Sequence, residues 1–280
     1  MSDQIHTAAT ELGAIVPEVW SARTYEVLKN KLIFRASISE DYTGEISDLG
    51  DTVHIHSIPE FDEANELAEG ARNDADAVTI SDQSLVINKR VVKDFIVTKK
   101  AMIQSIDKMD KLREHAAFSI MKKMDSTIIS TIAPSAATPD HDISFDSGTT
   151  MALVDILAAK ELLDDANVTE SGRKLRCGSS QFNDIFNISG YTSKDFIPAG
   201  SPLSSGMIEF PLAGFEVDWS NQLGNVAYMF HPSFLTLAVQ DQMSTDVFNL
   251  GVDGKRAVRV NTDLLYGLRQ LDDKRVVKVS

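Results

Sequence analysis

Two imidazoles one residue apart, His54 and His56, stand in GDTVHIHSIPEF (residues 50–61), a run that alternates apolar and polar. On a strand, residues i and i+2 share a face, and two histidines so placed can ligate a transition metal. With acids such as Asp51 they would make the core of a metal-dependent enzyme. A structural zinc takes four protein ligands and a catalytic one usually three, and no HExxH motif or cysteine pair completes the set. Contact with solvent or with a neighbouring molecule is the better reading of the pair.

The other reactive residue types fare no better. Cys177 lies in KLRCGS, just before an expected helix start, where a thiol pKa can fall, and His115 or His231 could partner it. A lone cysteine in a strand is more readily explained as core, since cysteine is among the most buried residue types. GVDGKR (251–256) is two residues short of a phosphate-binding loop, has Arg256 where Ser or Thr is required, and precedes no helical pattern. The tract 59–77, PEFDEANELAEGARNDADA, carries seven acids and one arginine, Arg72, without the spacing of a calcium loop. No nucleophile elbow and no dinucleotide fingerprint occur. The sequence thus offers no catalytic, cofactor-binding or metal site.

Composition narrows the class. The 280 residues are 43% hydrophobic, enough to fill one large core or two modest ones. No apolar run approaches the ~20 residues of a membrane span, and Met1-Ser-Asp-Gln lacks a signal-peptide pattern, so the expectation is a soluble chain in a reducing cytoplasm, with no membrane partner. One cysteine excludes a disulfide framework. With 41 acids against 27 bases the net charge is −14, which argues against a protein whose task is gripping phosphates.

Periodicity supplies the elements that must position any site. Residues 17–32 read as a helix opened by Pro17, with Trp20, Val27, Leu28 and Leu32 as its apolar stripe. Residues 42–58 and 77–97 alternate with period two and could pair as one long antiparallel hairpin around the acidic tract. From Asp107 to Ala133, Leu112, Ala116, Ile120, Met124 and Ile128 recur mostly at four-residue steps, predicting a bracing helix closed by Pro134. After the polar connection 135–150 the chain alternates: a helix from Met151, a strand at KLRCGS, a helix at SQFNDIFNI capped by Ser179 or Ser180, and a Gly/Ser/Pro-rich loop at 189–206. Strands follow at GFEVDWS and NVAYMF, and the last thirty residues read as mostly extended.

Taken in order, these pieces resemble the major capsid proteins of tailed bacteriophages, the Hong Kong 97-type fold. The resemblance is carried by PEVW (17–20), GDTVHI (50–55), the long loop and bracing helix, LAGFEVDWSNQL (212–223), YMFHPSFLTLAVQ (228–240) and VRVNTDLLYGLRQLDDKRVVKV (258–279), spanning roughly residues 13–280. It implies an α+β chain divided into an N-terminal arm (1–35), an E-loop hairpin (36–98), a peripheral domain with a spine helix and β-sheet (99–150), a mixed α/β axial domain (151–245) and C-terminal strands returning to the peripheral domain (246–280). It also implies a non-enzymatic subunit of an icosahedral phage head, without cofactor, partnered by itself in hexamers and pentamers, a portal and possible decoration proteins. Such a shell is assembled in the host bacterial cytoplasm and encloses double-stranded DNA without reading its sequence.

Within that frame Trp20, Tyr25, Phe61, Glu66, Leu67, Glu69 and Arg72 are the expected intersubunit contacts, because aromatics and arginine concentrate in interfaces. Two departures matter. Some family members crosslink through an E-loop lysine, yet residues 59–88 hold none. Others begin with a long cleaved scaffolding segment, whereas here the arm starts within about fifteen residues, implying a separate scaffold protein or none. An encapsulin-like compartment would share the fold; the enzyme built on His54 and His56 is the alternative of another class.

Overall fold

The computed structural model describes residues 29–43, 52–58, 64, 66, 69–70, 78, 80–98, 109–188, 208, 211–250 and 257–280. Ten strands and three α-helices alternate along them: β1 (Thr52–Ser57), β2 (Ser81–Val86), β3 (Lys89–Thr98), α1 (Met109–Thr131), β4 (Asp142–Ile143), α2 (Leu153–Asp165), β5 (Lys174–Cys177), α3 (Ser179–Ile185), β6 (Glu216–Trp219), β7 (Ala227–Phe230), β8 (Leu235–Asn249), β9 (Ala257–Gln270) and β10 (Val276–Val279). They form a two-stranded hairpin β1-β2, an antiparallel sheet β3-β9-β8 and a mixed sheet β4-β10-β7-β5-β6.

Strand β7, AYMF, shows how the two larger parts are joined. All four of its residues are buried, the mark of a strand covered on both faces. Since side chains alternate along a strand, Tyr228 and Phe230 enter one apolar cluster while Ala227 and Met229 enter another. Its neighbours divide the same way: Val276 faces the first cluster, and Val277, Val279, Leu175 and Cys177 face the second. The second cluster is closed by Ile156, Ala159 and Leu163 of α2 and Ile185 of α3. The first is closed by α1, whose Ala116, Ile120, Met124 and Ile128 are buried, together with Leu237 and Val239 of β8 and Leu264 and Tyr266 of β9. The four-residue recurrence therefore marks the inner face correctly except at Leu112, which is 43% exposed.

Several expectations are corrected. The long hairpin is split: β1 pairs only with β2, from Thr52↔Val86 to Ser57↔Ser81, while β3 pairs with β9 over ten residues. The break falls at Ile87-Asn88, where buried Ile87 anchors the chain as it passes from hairpin to sheet. Strand β8 runs through position 245, and β10 joins the five-stranded sheet beside β4 and β7 rather than following β9. Residues 29–32, the end of the expected first helix, are not helical; the remainder of that helix and the loop 189–206 lie outside the described residues. Gly178, not Ser179 or Ser180, is the N-cap of α3, and the position admits only glycine, since a Cβ there would sit 1.7 Å from the Gly224 carbonyl oxygen.

Candidate assembly surfaces

Among the described residues, the hairpin's ties to the body gather toward its base. At its base Leu85 and Ile87 are buried with Ala238 of β8, and Tyr42, Val53, Ile55 and Leu265 pack around them. The Gln83 side-chain amide donates to the Leu271 carbonyl at 3.0 Å. At the other end Ile58, Val78 and Ile80 are 68%, 53% and 58% exposed. A six-residue two-stranded ribbon cannot shield such residues itself, so its far end presents an apolar surface to solvent or to another molecule.

The histidines lie on the hairpin's open face, as alternation requires. The single carboxylate Asp82 faces both: its Oδ2 is 2.7 Å from His54 Nδ1 and its Oδ1 is 3.6 Å from His56 Nδ1. Among the described residues no group of three or more His, Cys, Asp or Glu is placed to hold a metal ion. No described helix is long and apolar enough to cross a membrane. Cys177 is fully buried, and burial pushes its thiol pKa up to about 12, the reverse of an activated nucleophile.

Of the expected contact residues, Glu66 and Glu69 are exposed; Trp20, Tyr25, Phe61, Leu67 and Arg72 lie outside the described residues. A second open surface is one the periodicity reading passed over. In the three-stranded sheet Ile96, Arg259 and Phe248 stand in register on one face, with Ile96 63% and Phe248 50% exposed. Arg259 pairs with Asp94 of the neighbouring row, and Arg90 with Asp263 at 2.6 Å, a bond that helps hold the Asp263 carboxyl below its ordinary pKa. Apolar ends and saturated charge pairs thus alternate along this face. On α2, Leu153, Val154 and Leu157 form a third exposed apolar group.

The entry from the N-terminal segment is fixed by polar groups that composition does not reveal. Asp125, only 1% exposed in the apolar stripe of α1, accepts the backbone N–H groups of Phe34 at 3.0 Å and Arg35 at 3.3 Å through Oδ1, and the Gln222 amide at 3.3 Å through Oδ2. Buried Arg176 of β5 donates to Ser37 Oγ at 2.9 Å and to the Glu216 carboxylate at 2.8 Å. Ser220 Oγ donates to the Lys31 carbonyl at 2.7 Å. Phe34 is fully buried beside Tyr228 and Phe230, at ring-centre distances of 6.2 and 6.1 Å. Residues 31–38, assigned by the resemblance to the end of the arm and the start of the E-loop, are therefore seated in the seam between α1 and the five-stranded sheet.

A body with two complete cores and several open apolar edges is the build of a structural subunit that finishes its packing on copies of itself. The family model of phage capsid proteins matches residues 60–280, and the chain belongs to that family. It is thus a phage capsid protein, a structural component of the virion shell rather than a member of a catalytic class. No curated protein matches its sequence. Among solved structures it is similar to a chain of Mycobacterium phage Che8, at 22% identity and a TM-score of 0.77, covering 95% of this chain and 97% of that one. A chain of the cyanophage P-SCSP1u capsid gives 11% identity and 0.77, covering 96% and 94%. A chain from the capsid of a native GTA particle gives 11% and 0.71, covering 99% of both. The shared fold is the Hong Kong 97 type.

Proposed function

We propose that the shell is an icosahedral lattice of hexamers and pentamers in which the β1-β2 hairpin is the E-loop, reaching over a neighbouring copy. The observation that carries this reading is the contrast along the hairpin between its buried base and the exposed Ile58, Val78 and Ile80. Burying three such side chains on a neighbour contributes roughly 1.5–3 kcal/mol each before ordering costs. Repeated around a closed lattice, that is a strong drive to assemble. Glu66, Glu69 and Arg72 would supply charge pairs at the same contact, with Phe61 and Leu67 as further anchors and Trp20 and Tyr25 as those of the arm.

The same reading treats residues 1–35 as the arm, α1 as the spine helix with the β3-β9-β8 sheet as the peripheral domain, and the five-stranded sheet with α2 and α3 as the axial domain. The place of β10 in that second sheet supports drawing the last boundary between β9 and β10. A net charge of −14 suits a wall that contains double-stranded DNA without binding its sequence. Assembly in the bacterial cytoplasm on a separate scaffold, around a portal and with decoration proteins outside, completes the proposal.

The test is the double variant Ile58→Asp/Ile80→Asp. Both positions are exposed, so the subunit is expected to fold with an unchanged melting temperature yet give no closed particles. Wild-type yields of shells would remove the hairpin end from the assembly surface.

A further inference from the structure

The hairpin crosses the three-stranded sheet at a notch made of two small residues. Gly267 of β9 and Ala238 of β8 are directly paired in register, on the face opposite Tyr266 and Leu268, which point into the core beneath α1. A Cβ added at Gly267 would lie 2.6 Å from the Val86 carbonyl oxygen, 3.0 Å from its carbon and 3.1 Å from the Ile87 Cα. All three atoms are backbone, so no rotamer change relieves the contact. The Gly267 φ is not in the left-handed range, so the residue is not required for its conformational freedom. Its backbone conformation would accept alanine, so the cost of an alanine there comes from the steric contact alone.

We propose that this notch is the seat that sets the hairpin's angle over the sheet, making Gly267 a positioning residue for shell assembly. The inference rests on the reading that the hairpin's far end is an assembly surface. Restoring an ordinary carbon–oxygen separation means moving the end of β2 by about 0.8 Å; across a strand spacing of about 5 Å that is a tilt of about 9°. Ser81 lies five residues from Val86, about 17 Å along the strand, and would swing by about 2–3 Å. Interfaces packed at interior density do not absorb such a displacement. The base cluster and the Gln83 bond to Leu271 make the crossing stiff enough to transmit it.

The experiment compares Gly267→Ala with Ile58→Asp/Ile80→Asp and wild type, expressed under conditions in which the wild-type chain gives closed particles. The unassembled subunits are melted, and particle yield and diameter are read by electron microscopy. Gly267→Ala is expected to melt within a few degrees of wild type while closed particles fall at least tenfold or change diameter. Normal yield and diameter would overturn the inference if the double variant abolishes shells, and would instead overturn the underlying reading if the double variant also assembles normally. Leu85→Ala loosens the same crossing without a clash and serves as the second arm: normal shells from it overturn the proposal even if Gly267→Ala does not fold.

Discussion

Replacing Asp125 should reveal both how the N-terminal segment is held and the sign of its pH dependence. The carboxylate is almost wholly buried and accepts two backbone N–H groups and one side-chain amide. Asp125→Ala strands two buried amide donors at about 1–3 kcal/mol each, a destabilisation of about 2–6 kcal/mol in all. Asp125→Asn keeps the shape and one acceptor, and should lose less. Burial raises the carboxyl pKa above its ordinary 3.8, against the opposing pull of the backbone N–H groups of Arg35 and Phe34. A folded-state pKa above the unfolded one means that the folded chain binds the proton more readily. This stabilisation is complete below the unfolded value and is lost as pH rises through the folded value. Asparagine does not titrate, so the Asp125→Asn penalty should shrink as pH rises through the range above about 4. Urea unfolding of unassembled subunits across that range measures it. A penalty that grows with pH would mean that the hydrogen bonds outweigh burial, and would refute the reasoning.

Other outcomes follow from the same seam. Phe34→Ala should destabilise the subunit by about 3–5 kcal/mol, the usual loss for a buried aromatic, and chemical unfolding at neutral pH would show it; a change below about 1 kcal/mol would place Phe34 outside the core. Cys177, with its thiol pushed up to about 12 inside the apolar cluster between α2 and the five-stranded sheet, should resist a thiol reagent at pH 8 until the chain unfolds; labelling of the folded subunit at the rate of a free thiol would contradict that burial.

Legibility in the sequence followed the simplicity of each residue's surroundings. Helix α1 was readable because one face meets one core, and β1 because one face meets solvent. Strand β8 was not: its first half, Leu235–Val239, is buried throughout, while its second half, Ser244–Asn249, is polar or exposed, so neither half alternates. Two register shifts between Val239 and Ser244 interrupt the pairing as well. Sheet membership was hidden for β10, whose VVKV fits either sheet, and decided by partners far along the chain. Of the proposed assembly surfaces, the acidic tract and the hairpin were visible as a charge run and an alternation. Asp125 and Arg176 were not, since a buried charge announces itself only by the distant backbone groups it satisfies. The Gly267 notch is likewise a relation between two strands nearly two hundred residues apart.

The central claim is that copies of this chain close into a shell. Electron microscopy of the purified protein, with light scattering on the same sample at neutral pH and moderate salt, tests it most directly. Closed particles tens of nanometres across are the predicted result. A monodisperse species of 30.7 kDa that stays monomeric even when co-expressed with its neighbouring genes would contradict it.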